Sequence, residues 1–254
     1  MNIFLTLAFL FAAGCLLGWC LEVVFRHFYV HRKYWINPGF LTGPYLPLYG
    51  FGLCGLYLLA SAEPLLPIAN AAARKTVLFL IMTAAMTLIE YIAGVIFIRK
   101  MHVKLWDYST MWGNIQGIIC PLFTFFWALL SAGYYFFIHP RVLGALAWLS
   151  SNLAFSFFIG VFFGIFAVDC FYSFHIVARV KAIAQEYGVL VRYEELKAHV
   201  AESAQRLGQR ARFLFALPTR DALSDAVRSY AQKTRAAGES LRGKLSGLTE
   251  RRSK

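Results

Sequence analysis

Three acidic residues, Glu22, Glu90 and Asp169, stand inside long apolar runs, and they are the first places to look for chemistry. A carboxylate at the bilayer centre costs about 2.5–3.5 kcal/mol on insertion scales, so each must be paired, hydrogen-bonded or used. Such groups can take up a proton or hold a cation. Glu22, Glu90 and Asp107 could also form an acid/base set acting on a lipid-linked substrate. Glu90 is the deepest, eight residues before the end of its run at Ile98, or about 12 Å along a helix. Glu22 and Asp169 read as nearer the same end of their runs, where capping or pairing with Arg and Lys would account for them.

Between the first two apolar runs lies Asn37-Pro38-Gly39-Phe40-Leu41-Thr42-Gly43-Pro44-Tyr45-Leu46-Pro47-Leu48-Tyr49-Gly50-Phe51-Gly52, with three prolines and four glycines in 16 residues. Such a stretch leaves backbone amides and carbonyls without helical partners, which membrane depth tolerates only inside protein or around a cavity. It predicts either a broken start to the second helix, of the kind that forms substrate sites in transporters, or a simple interfacial turn. A second polar cluster, Trp106-Asp107-Tyr108-Ser109 with Trp112, Asn114 and Gln116, follows the third run. The expected lining of a polar cavity is therefore Glu22, Asn37, Gly39, Gly43, Pro44, Tyr45, Pro47, Tyr49, Glu90, Tyr91, Trp106, Asp107, Tyr108 and Asn114.

The elements that must position these residues follow from composition. Of the 254 residues 59% are hydrophobic, 17% aromatic and 15% charged, against about 25% charged in soluble domains. The chain reads as a membrane protein, and disorder is excluded for most of it. Runs long enough to cross a bilayer are Ile3–Phe25, Tyr45–Ala62, Thr76–Ile98, Ile115–Ile138 and Val142–Phe174. The fold class is thus all-α, a polytopic bundle of about five transmembrane helices over residues 1–175, with a basic, helical cytoplasmic tail over 176–254. The last run has 33 residues, too long for the hydrocarbon core, and must tilt, kink or project into the cytoplasm. The first run reads as a retained span rather than a cleaved leader, since it is long and lacks a basic start. Counting Lys and Arg in the connections gives 22 on the tail side against 3 on the other, which places the N-terminus outside and the tail inside a cell membrane. Gly14-x-x-x-Gly18 and Gly160-x-x-x-Gly164 would let helices approach closely. The five cysteines, all in apolar stretches, read as small buried hydrophobes.

The net charge is +12, of which +8 belongs to residues 176–254. There Leu196, Val200, Ala204, Leu207, Ala211 and Leu214 fall at helical spacing, Pro218 interrupts, and Leu223, Val227 and Tyr230 start a weaker stripe. Two amphipathic helices and a basic end fit best, set against anionic lipid or a partner. Stacking aromatics are not interleaved with the charges, so no nucleic-acid partner is expected. Gly238 to Lys244 has the spacing of a phosphate loop, but Leu245 occupies the magnesium-binding position and no strand precedes it. His27 and His31 are one turn apart without the glutamate or third ligand of a zinc site. No metal, cofactor or catalytic set is expected.

Gly18-Trp19-Cys20-Leu21-Glu22, the run Asn37 to Gly52, Glu90-Tyr91-x-x-Gly94, Trp106-Asp107-Tyr108-Ser109 and Asn114-Ile115-Gln116-Gly117 resemble, in order and spacing, the type IV, CmpB-like ABC-transporter permease family of small bacterial membrane proteins. The resemblance spans about residues 12–135. Where that family carries a basic residue after Asn-x-x-Gly, this chain has Ile118, and the basic tail is outside the shared pattern. The resemblance implies a transport component without enzymatic activity of its own, working with a separate ATPase subunit or as a homo-oligomer. The alternatives are a non-catalytic membrane scaffold or assembly factor, and a membrane-embedded enzyme acting on a lipid-linked substrate.

Overall fold

A computed structural model describes residues 2–29, 37–206 and 224–236. The chain is an all-α membrane helix bundle. Four helices among the described residues are long and apolar enough to cross a membrane, over Ile3–Phe28, Ala71–Met101, Pro121–Ser151 and Leu153–Tyr187, and a shorter apolar helix covers Pro47–Ser61. We label them α1 (Ile3–Tyr29), α2 (Pro47–Ser61), α3 (Ala71–Met101), α4 (Pro121–Gly133), α5 (His139–Ser151) and α6 (Ser156–Tyr187).

Local chemistry sets the helix ends. Asn70 starts α3 by accepting from the amides of Ala72 at 2.9 Å and Ala73 at 3.1 Å. His102 closes α3 in the left-handed conformation, at φ 54°, after Arg99 and Lys100 in the last turn. Prolines open α2 and α4, where the missing amide hydrogen would have had no partner.

The two predicted small-residue pairs behave differently. A Cβ on Gly18 would stand 2.1 Å from the Tyr49 Cβ, and one on Gly14 would stand 2.7 Å from the Tyr49 carbonyl oxygen. These glycines let α1 and α2 meet backbone to backbone. A Cβ on Gly160 or Gly164 would meet nothing within 4 Å, so among the described residues nothing packs against this pair on α6.

The boundary between the last two spans also differs from expectation. Residues 115–120 belong to a loop, and the third long helix runs from Pro121 through a π-helical turn at Tyr134–Ile138 into α5, ending at Ser151. His139-Pro140-Arg141 does not stop it, because Pro140 falls in the first turn after the π-helical turn. The break comes instead at Asn152, with φ −129° and ψ 53°. The last long helix is accordingly displaced toward the C-terminus and reaches Tyr187.

Its far end packs with the tail. Strands β1 (Val103–Lys104) and β2 (Val191–Arg192) form a short parallel pair, Val103 opposite Val191, followed by α7 (Tyr193–Arg206) and α8 (224–236). Ile176, Val177, Val180 and Ala184 of α6 share one buried cluster with Phe40, Leu41, Val191, Tyr193, Leu196, Val227 and Tyr230. Residue 175 therefore lies within an unbroken helix, and the apolar faces of α7 and α8 are turned onto protein. The remaining tail positions read above, Leu207 to Leu223 and Gly238 to Leu245, lie outside the described residues, as does His31.

Candidate functional site

The stretch from Asn37 to Leu46 is unwound and mostly buried. It descends along α1 far enough for the Leu46 amide to donate to the Cys15 carbonyl at 3.0 Å, halfway along that helix. Its backbone groups are satisfied by side chains from elsewhere in the chain. Asp169 accepts from the Thr42 amide (3.2 Å), the Thr42 hydroxyl (2.5 Å), the Gly43 amide (2.7 Å) and the Ser173 hydroxyl (2.8 Å). Asn37 donates from Nδ2 to the carbonyls of Leu41 (3.2 Å) and Thr42 (2.9 Å), while its Oδ1 accepts from Trp19 Nε1 at 2.6 Å. Lys197 of α7 donates from Nζ to the carbonyls of Asn37 (2.9 Å) and Gly39 (2.7 Å), with its Nζ 5.0 Å from the Tyr193 ring centre. Burial pushes the Lys197 ammonium down to about 7; nearby Arg26 acts in the same direction and Asp169 against it.

Beside this segment lies a cavity of about 1010 Å³ between α1, α2, α3 and α4, with predominantly apolar walls. Glu22, Arg26, Tyr49, Glu90, Trp106, Tyr108 and Trp127 are its polar lining residues. Glu22 bonds Arg26 at 2.8 Å and accepts from the Tyr49 hydroxyl at 2.7 Å; Arg26 also pairs with Glu194 of α7. Glu90 is 3% exposed and accepts from Trp127 Nε1 at 2.8 Å and the Tyr108 hydroxyl at 3.1 Å. A buried carboxyl held by neutral donors inside an apolar cavity can exchange a proton or meet a cationic or hydrogen-bond-donating guest.

The loop from Leu105 to Cys120 carries Tyr108 to Glu90. Trp106 Nε1 donates to the Ile118 carbonyl at 2.8 Å, and the Tyr108 amide to the Gly117 carbonyl at 2.8 Å. Asn114 bridges the Ser109 and Met111 carbonyls and the Gly117 amide. Gly117 adopts φ +68°, and an added Cβ would lie 2.9 Å from Asp107 Oδ1. The Tyr108 ring stacks on Phe123 with centroids 4.2 Å apart. Asp107 takes Lys104 at 3.1 Å and Arg192 at 3.0 Å. Burial works against its charge, but Ser109 and Lys104 hold the carboxyl below the usual range. Ile118 is 2% exposed and wedges into the space left by Gly94, whose absent Cβ would stand 2.3 Å from it.

Of the residues expected to line a cavity, Glu22, Gly39, Pro47, Tyr49, Glu90, Trp106 and Tyr108 do so. Asn37, Asp107 and Asn114 instead brace the backbone that carries them. Gly43 offers its amide to Asp169, and Pro44 precedes Tyr45, which is buried against Phe162 and Phe166. Tyr91 is half-buried, outside the lining. Sequence reading undervalued Asp169, which the longer α6 carries to mid-helix, 18 residues before Tyr187. It also missed Lys197, for which one signal existed: Tyr193, Leu196, Lys197 and Val200 share a helical face, so a lysine sits on an apolar stripe.

The helices and the buried polar groups define a polytopic membrane protein. Its sequence matches the family described as "Putative ABC-transporter type IV" over residues 9–174, and the chain belongs to that family. The match extends past the 12–135 expected from the motifs and takes in Asp169, while α7 and α8 lie beyond it. Neither the curated proteins nor the solved structures searched gave a match.

Proposed function

We propose that the chain is the membrane-spanning, permease-like component of a transporter, and that the cavity beside the unwound segment is where it meets its substrate. The observation that carries this reading is the segment from Asn37 to Leu46: irregular backbone, mostly buried among apolar helices and held by side chains from α6 and α7, forms one wall of a cavity. Glu22 and Glu90 supply the polar contacts, while Asn37 braces the unwound segment and Asp107 and Asn114 brace the loop that carries Tyr108. Family membership supports a separate ATPase chain as the energy source. The excess of Lys and Arg on the tail side supports a cytoplasmic tail with the N-terminus outside, so the ATPase would dock on the tail side. Anionic lipid would then be a partner of the basic C-terminal tail.

Affinity capture of the full chain from its native membrane, followed by identification of co-purifying chains, tests the reading. A nucleotide-hydrolysing subunit in stoichiometric amount is the expected result. Its repeated absence, with the bundle intact, would overturn the transporter assignment.

A further inference from the structure

Helix α7 and the strand residue before it reach three polar features of the site. Lys197 holds the Asn37 and Gly39 carbonyls of the unwound segment at 2.9 and 2.7 Å. Glu194 pairs with Arg26, which also binds the cavity-lining Glu22. Arg192, the last residue of β2 and the one before the helix, bonds Asp107 at 3.0 Å, at the base of the loop that carries Tyr108 to Glu90. Behind these contacts, the β1–β2 pair joins residues 103–104 to 191–192, and Leu196 is buried in the cluster that includes Phe40 and Leu41.

We propose that α7 is a latch on the unwound segment: docked, it fixes the wall formed by residues 37–46, and released, it frees that wall to move. The geometry favours this over a helix that simply rests on the bundle. The Asn37 and Gly39 carbonyls receive from Lys197 bonds that a regular helix would supply internally, so undocking α7 uncovers backbone acceptors at the cavity edge. Asp169 secures the other end of the segment from within the family-matched region, whereas Lys197, Glu194 and Arg192 all lie beyond residue 174, where the match ends. The latch is thus an addition to the shared membrane core. The inference goes beyond the transport reading and stands without it, since it concerns what holds the segment rather than what passes it.

Hydrogen–deuterium exchange on the full chain in lipid nanodiscs tests the latch. Lys197→Met keeps the aliphatic stem and removes the donors. It should raise exchange of the amides at 42, 43 and 46 by about tenfold, the change expected from losing roughly one net hydrogen bond, with α3 unaffected. A second variant guards against misfolding: Val103→Cys with Val191→Cys tethers the two paired strands, and the oxidised form should exchange more slowly at 42–46 than the same protein reduced. Faster exchange in α7 alone, with 42–46 unchanged in both comparisons, would overturn the proposal, as would a rise spread evenly over the whole bundle in Lys197→Met together with no effect of the tether.

Discussion

Asp169 and Lys197 act on the same ten residues of backbone with opposite chemistry, one accepting from amides and the other donating to carbonyls that no helix satisfies. Removing the acceptor leaves two amides and two hydroxyls unpaired, so Asp169→Ala should destabilise the protein by about 2–4 kcal/mol, read by thermal unfolding in detergent. Asp169→Asn keeps one acceptor oxygen and should cost less. Lys197 gives a pH dependence whose sign is fixed: its docked value is about 7, whereas a free lysine titrates near 10.4. The undocked helix therefore binds the proton more tightly, and docking strengthens as pH rises from about 7 toward 10. Above about 10 the trend reverses, because burial raises Tyr193 and Tyr230 and their undocked hydroxyls ionise first. Distances between spin labels on α7 and on the exposed end of α3 should shorten and sharpen between pH 7 and 9, and Lys197→Met should abolish the difference. The acidic residues were legible in the sequence because charge in apolar surroundings needs a reason. Their partners were not, since Asp169 and Thr42 are 127 positions apart and no local spacing joins them.

Glycine separates the helix seams from the bare helix faces. Gly18→Ala drives a methyl into the Tyr49 side chain and should cost about 1–3 kcal/mol by overpacking. Gly160→Ala meets open space and should be neutral or stabilising by up to about 1 kcal/mol, since alanine favours the helix. Thermal unfolding of both variants side by side checks this, and a large loss at Gly160 would mean that a second chain packs there. The apolar runs showed where helices lie but not where the last two divide. His139-Pro140-Arg141 carries the signals of a turn, and only the π-helical turn before it lets the helix continue to Ser151. That shift carried Asp169 from a supposed helix end to mid-helix, and with it the residue's role.

At the level of the whole molecule, a membrane core matching one family carries a polar tail that folds back onto it. The core was legible as a class because composition, span length and five ordered motifs agree. The tail's basic charge pointed to lipid, but the described part of it spends Arg192, Glu194 and Lys197 on the bundle, contacts that require the fold to bring residues 26, 37, 107 and 194 together. If the cavity is the working part of a transport component, hydrolysis by its ATPase partner depends on the Glu90 cluster. The most direct test is the ATP hydrolysis rate of the purified complex in liposomes, wild type against Glu90→Gln, with Gly160→Ala as the control. The account predicts about a tenfold fall in Glu90→Gln, the effect of losing roughly one charge-assisted hydrogen bond, and no change in the control. Equal rates in all three, with the complex intact, would contradict it.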